Sequence, residues 1–405
     1  MLLSVLSASL LAIPALALPL EGLTPATEAN PLTKRQDCSN PSVQLSANSK
    51  LPDPFLLTSG QRITSKEQWT SCRRRELLSL LQQYESGDFP PKPSSVTGSF
   101  SGNQLTINVS DNGKSVSFSV SISTPSGSGP FPAIIAYGYP SIPIPNGVAT
   151  ITFNNDNLGA QNGLNSRGQG VFFNLYGNQH SASSITAWSW GVSRIIDALE
   201  STPGANIDPT RIGVTGCSRN GKGALFAGAL DERVALTIPQ ESGSGGAACW
   251  RLSDEQQRRG QNVQTASQII TENTWFSTRF DQFGRGSVNN LPFDHHSLAA
   301  LVAPRGLLVI ENTSQEWLGN WSTYGCMRTA QEVYKSLGVP DNMGYSQVGH
   351  SDHCGFPSSQ QPELTAFIQK FLLGNTSANT SVMKSDGNHN FDLNEWAGWS
   401  TPNLS

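Results

Sequence analysis

The sequence predicts an α/β fold, a mostly parallel sheet covered by helices on both faces, and three observations carry that expectation. From residue 131 onward, strand-like and helix-like segments alternate, as in a parallel sheet wound with crossover helices. FPAIIAYG at 131–138 is a short continuous apolar run, which suits a strand buried on both faces. A further strand candidate, RIGVTG, runs into the small-residue stretch VTGCSRNGKGA at 214–224 and out into a helix. In α/β sheets, chemistry gathers at such junctions beyond the strands' carboxyl ends.

The elements follow in order. MLLSVLSASLLAIPALALPL is apolar and uncharged and passes through Ala15-Leu16-Ala17, so residues 1–17 read as a signal peptide. EGLTPATEANPLTKR ends in the dibasic pair Lys34-Arg35, so 18–35 reads as a propeptide and 36–405 as one domain. No later segment is long and apolar enough to cross a bilayer, and an exported protein without a membrane partner is expected. Residues 36–98 are loop-rich around one helix, SKEQWTSCRRRELLSLLQQYESG, closed by Gly87 and the prolines of FPPKP. QLTINVS and SVSFSVSIST form a hairpin across Asn112-Gly113. After FPAIIAYG come strand GQGVFFNL, helix SSITAWSWGVSRIIDALES, strand RIGVTG and helix NGKGALFAGALD. Strand RVALTIPQ, a long polar and helical stretch, strand RGLLVIEN, helix YGCMRTAQEVYKSLG, the strand candidate MGYSQVG and helix ELTAFIQKFLLG complete the pattern. The last thirty residues read as an ordered tail over the surface.

A formal net charge of −4 and a pI near 5.9 argue against a nucleic-acid partner. Six cysteines in an exported chain imply three disulfides, and none has the CxxC spacing of a zinc site. Sequons stand at Asn108, Asn312, Asn320, Asn375, Asn379 and Asn403. Asp294-His295-His296 lacks a third spaced ligand and reads as a solvated loop, so no metal is expected.

Ser218 lies just past one strand and just before a helix, where a sharp turn lifts a nucleophilic serine above the sheet. Gly216 and Gly221 keep side chains out of the crowded turn, and the helix N-terminus offers N–H groups to an oxyanion. The second glycine stands one place later than in the usual pattern, so an ordinary glycine-rich turn also fits. A serine needs a base, and the base needs a carboxylate. His350 and His353 both lie in QVGHSDHCGFP, ahead of the last helix. Cys217 precedes Ser218 and Cys354 follows His353, so bridging that pair sets Ser218 and His353 side by side. The six cysteines allow fifteen pairings; on the reading that joins Ser218 to His353, Cys249 with Cys326 and Cys38 with Cys72 are the other two bridges expected. Two glutamates compete for the acid: Glu241 follows RVALTIPQ, and Glu311 ends RGLLVIEN, the strand position most hydrolases of this order use.

VTGCSRNGKGA, QESGSGG, NVQTASQIITEN, ENTSQEWLG and HCGFPSSQ, in this order, resemble the fungal glucuronoyl esterases of carbohydrate esterase family 15. The resemblance spans roughly residues 38 to 400 and implies an α/β-hydrolase fold. It makes Ser218 the nucleophile, His353 the base and Glu241 the acid, with Arg219 adding its side chain to the oxyanion hole. It also makes Lys222, Gln264, Glu272 and Trp317 the residues that hold a glucuronate. The residue chemistry agrees: Lys222 lies one helical turn past Ser218, Glu272 is a fitting partner for a buried lysine, and Trp317 offers a flat face to a sugar. Singly, each has a plainer reading as a surface lysine, polar helix residue or core tryptophan.

The reaction implied is hydrolysis of the ester between 4-O-methyl-glucuronate of glucuronoxylan and lignin alcohols, by a secreted, cofactor-free monomer. Two other readings compete. An acetyl-xylan or feruloyl esterase would not need the Lys222 and Glu272 pair, and an inactive carbohydrate-binding protein would not need a complete triad.

Overall fold

Ten strands make one sheet in a computed structural model that describes Cys38 and residues 41–405. The expected signal peptide and propeptide lie outside the described residues. Contacts divide the chain between residues 36 and 37, and the described residues all fall in the second unit, Asp37–Ser405.

The strands are β1 (Ser95–Ser101), β2 (Gln104–Asp111), β3 (Lys114–Ser123), β4 (Phe131–Tyr137), β5 (Ala149–Phe153), β6 (Ile207–Cys217), β7 (Val234–Gln240), β8 (Gly306–Glu311), β9 (Met343–Gln347) and β10 (Met383–Ser385). Their order is β1-β2-β3-β5-β4-β6-β7-β8-β9-β10. The first four in that order pair antiparallel, and every pairing from β5 to β10 is parallel. This is the α/β-hydrolase arrangement that the resemblance implied. Asn112 and Gly113 both have positive φ, 48° and 76°, as a tight hairpin turn between β2 and β3 requires. All of β4 is buried, which explains its unbroken apolar run.

Helices cover both faces. Ser184–Glu200 starts where the Ser183 hydroxyl accepts from Thr186 N–H at 3.1 Å, and it is buried along nearly its whole length. Its charged residues survive burial in pairs, Arg194 with Asp197 at 2.7 Å. On the other face, Gln361–Phe371 packs Leu364, Phe367 and Ile368 against Leu236, Ile238 and Ile310.

The structure corrects three expectations. GQGVFFNL is not a strand: Val171–Tyr176 is a helix. A strand would send Phe172 and Phe173 to opposite faces, whereas the helix buries both and sets the ring of Phe172 at a tilt to Tyr176, centroids 4.9 Å apart. Asp294-His295-His296 is not a solvated loop but a fully buried network. Asp294 accepts from Trp250 N–H at 2.8 Å and pairs with Arg251 at 3.0 Å, while His295 sets its two ring nitrogens against Glu85 and the Gly246 carbonyl, at 2.7 and 2.6 Å. Burial disfavours an imidazolium, yet Glu85 and Asp294 together hold the pKa of His295 above its ordinary value. The tail also does more than wrap, because Met383–Ser385 joins the sheet beside β9.

Candidate active site

The loops beyond the carboxyl ends of β6, β7, β8 and β9 converge on Ser218. Its backbone, with φ 59° and ψ −129°, lies where few L-residues go, and its N–H is tied to Gln240 O at 2.9 Å. The helix Arg219–Leu230 starts directly behind it, with no side-chain cap on its first N–H groups. A Cβ on Gly216 would stand 2.5 Å from Asn220 O, and one on Gly221 would stand 2.6 Å from Gln240 O. The late glycine therefore answers a contact with the next strand, and an ordinary side chain fits at neither place.

Cys217 and Cys354 are bridged, with Cα atoms 5.6 Å apart, which carries His353 to the turn of Ser218. The other two bridges, Cys38–Cys72 and Cys249–Cys326, are the expected ones. His353 Nδ1 lies 2.7 Å from Glu241 Oε2, and the same oxygen accepts from Cys354 N–H at 3.2 Å. A carboxylate that accepts there calls for the proton on Nδ1, which leaves Nε2 free to take one. Glu241 has no solvent exposure, and its backbone is left-handed, φ 44°, with its N–H bound to Ile310 O at 2.7 Å. His350 sits beneath it, Nε2 3.3 Å from Glu241 Oε1.

Glu311 is equally buried but faces elsewhere. Its Oε1 accepts from Ser242 N–H at 2.9 Å, Ser242 Oγ at 3.1 Å and Gly243 N–H at 3.4 Å. Burial, and then the charge of Glu241, push its carboxyl up to about 8. Lys222 donates to the Ser242 carbonyl at 2.7 Å, so the Ser242 backbone is gripped at N–H by Glu311 and at C=O by Lys222. Burial pulls the Lys222 ammonium down to about 8, against the pull of Glu311 and Glu272.

Gln264 and Glu272 meet at 2.6 Å, and Gln264 N–H donates to Trp317 O at 3.1 Å. Trp317 sets its ring edge-on to His353, centroids 4.6 Å apart. These three, with Asn262, Gln268 and Thr271, line a cleft of about 350 Å³. A second cleft of about 190 Å³ opens over Ser218 and His353, with Arg219 and Tyr139 on its walls. The sequence reading had missed Ser242, Tyr139 and the ring of Trp275, 5.9 Å from Lys222 Nζ. Ser242 lies within QESGSGG, but nothing local in that stretch tells which atoms its backbone will meet.

The family model for fungal glucuronyl esterases matches residues 107–338. The 4-O-methyl-glucuronoyl methylesterase of Podospora anserina is 57% identical over 88% of this chain and 75% of its own length. The glucuronoyl esterase catalytic domain of Hypocrea jecorina is 56% identical, with a TM-score of 0.87 over 90% of this chain and 99% of that one. A serine-to-alanine variant of the Sporotrichum thermophile glucuronoyl esterase, solved with methyl 4-O-methyl-beta-D-glucopyranuronate, is 54% identical with a TM-score of 0.87, covering 90% of this chain and 99% of that one.

Proposed function

This chain belongs to the fungal glucuronyl esterase family, and we propose that Ser218, His353 and Glu241 are its catalytic triad, acting on esters between 4-O-methyl-glucuronate of xylan and lignin alcohols. The observation that carries this assignment is the 2.7 Å contact between His353 and Glu241, beside a serine held to the same loop by the Cys217–Cys354 bridge.

The mechanism follows from that geometry. Ser218 Oγ attacks the C6 carbonyl of the glucuronate ester, and its proton passes to His353 Nε2. Glu241, already accepting from Nδ1, stabilises the imidazolium that forms. The N–H groups at the start of Arg219–Leu230 and the Arg219 guanidinium face the developing oxyanion. The ester C–O bond then breaks, and the alcohol leaves with the proton from Nε2. Water attacks the acyl-serine and gives one proton to His353 Nε2, which passes it to Ser218 Oγ as the acyl C–O bond breaks and the uronic acid is released. Gln264, Glu272 and Trp317 hold the sugar's hydroxyls and ring in the polar cleft they line, and Lys222, buried against the Ser242 carbonyl, is the fourth residue of the proposed sugar site.

The processing boundaries after residues 17 and 35, export and a monomeric state belong to the same proposal. Three disulfides support export, and no helix among the described residues is long and apolar enough to cross a membrane. Only three large apolar side chains are exposed among the described residues, which supports a monomer.

The test is turnover. Methyl and benzyl glucuronate esters should be cleaved rapidly, with a serine-directed phosphonate labelling the wild type and not Ser218→Ala. Release of acetate from xylan without glucuronate ester cleavage would move the chain to another esterase activity.

A further inference from the structure

An ester has two sides, and the two clefts beside Ser218 differ in chemistry. The one with Gln264, Glu272 and Trp317 offers amides and a carboxylate to hydroxyls, which suits the acid portion. The other lies over Ser218 and His353 and has Tyr139 in its wall. Tyr139 is 56% exposed, the only aromatic among the exposed large apolar side chains of the described residues.

The ring stands on a fixed turn. Gly138 has φ 73° and donates to Phe153 O, and Tyr139 N–H donates to Tyr137 O, both at 2.8 Å. Asn220, two residues past the nucleophile, donates from its amide to that same Tyr137 carbonyl at 3.3 Å and is itself held by Asn155 at 3.0 Å. The turn is thus tied to the first turn of the nucleophile's helix, so Tyr139 keeps its place relative to Ser218. A tyrosine that packs against the core ordinarily hides its face; this one leaves it open, inside the cleft where the ester bond breaks.

Resting on the reading above, we propose that Tyr139 is a specificity-determining residue that forms the leaving-alcohol subsite and favours aromatic over small aliphatic alcohols. Offset or edge-on contact of two rings is worth enough to alter a rate by about three- to tenfold. Chemistry also says where the effect must appear. The alcohol departs on acylation, and every glucuronate ester then gives one and the same acyl-enzyme. Tyr139 therefore acts on kcat/KM for the benzyl ester relative to the methyl ester, not on the hydrolysis of the acyl-serine.

The experiment is the ratio of kcat/KM for benzyl and methyl glucuronate esters in wild type, Tyr139→Ala and Tyr139→Phe. We expect Tyr139→Ala to lower the ratio about three- to tenfold and Tyr139→Phe to restore it. Leu56→Ala, which removes an exposed apolar side chain outside both clefts, should leave the ratio unchanged. An unaltered ratio in Tyr139→Ala, or a loss shared equally by both esters, overturns the subsite. A wild type that cleaves neither ester overturns the function itself, a different failure.

Discussion

Two glutamates stand at the carboxyl ends of neighbouring parallel strands, Glu241 just past β7 and Glu311 closing β8, and neither meets solvent. Their partners differ completely. Glu241 leaves its strand through a left-handed residue and reaches His353, while Glu311 stays in regular strand backbone and points its carboxyl at the N–H groups of Ser242 and Gly243. Burial alone therefore does not bring a carboxylate to a histidine; the backbone turn that aims it does. The two are also coupled, since the charge of Glu241 helps keep Glu311 protonated. One site carries the charge, and the other holds the turn that carries it.

The most severe way to break this comparison is Glu241→Gln. It should lower kcat about 10³- to 10⁴-fold with little change in KM, because imidazolium stabilisation is felt in the transition state. Steady-state kinetics on a benzyl glucuronate ester checks it.

Lys222→Ala attacks the turn between the two glutamates from its other side, removing the donor to Ser242 O along with the sugar contact proposed above. Loss of a charged hydrogen bond of this kind should cost about 10- to 100-fold in kcat/KM for glucuronate esters. A simple activated acetate, with no hydroxyls to hold, should suffer less, and the two substrates assayed together make the measurement.

Glu311→Gln sharpens the contrast through pH. The folded carboxyl keeps its proton up to about 8, while the unfolded one loses it near 4.5. The native state thus binds more protons across that window, and this group's stabilisation is lost as pH rises through it. Lys222, pulled down to about 8, acts in the opposite direction but only above that pH. Thermal melts between pH 5 and 8 should fall less steeply for Glu311→Gln than for wild type.

The mildest test lies one residue on. Asn312 is a buried sequon whose amide donates to His350 O at 3.1 Å and accepts from His350 N–H at 3.2 Å, so a glycan there would push apart the end of β8 and the histidine loop. Glycopeptide mapping should find Asn312 bare, and any glycan on the exposed Asn108, Asn375, Asn379 or Asn403.

Most of the sheet was legible because its strands are apolar runs punctuated by turn residues, and the hairpin at Asn112-Gly113 needed only local chemistry. Ser218 was legible for the same reason: its turn is made by adjacent glycines. The acid was not, since two glutamates at equivalent strand ends are told apart only by a φ of 44° at one of them, a torsion that Gly243 and Gly245 nearby did not reveal. GQGVFFNL misled because a six-residue buried helix and a buried strand share one apolar signature. Asp294-His295-His296 misled because charge usually means solvent, and here Arg251 and Glu85, distant in sequence, supply the compensation.

The assignment of the acid is tested most directly by measuring kcat for Glu311→Gln and Glu241→Gln side by side on one glucuronate ester. Glutamine keeps an oxygen for Ser242 and Gly243, so Glu311→Gln should stay within about threefold of wild type while Glu241→Gln falls about a thousandfold or more. The reverse order, with Glu311→Gln nearly inactive and Glu241→Gln nearly normal, would place the acid on β8 and contradict the account.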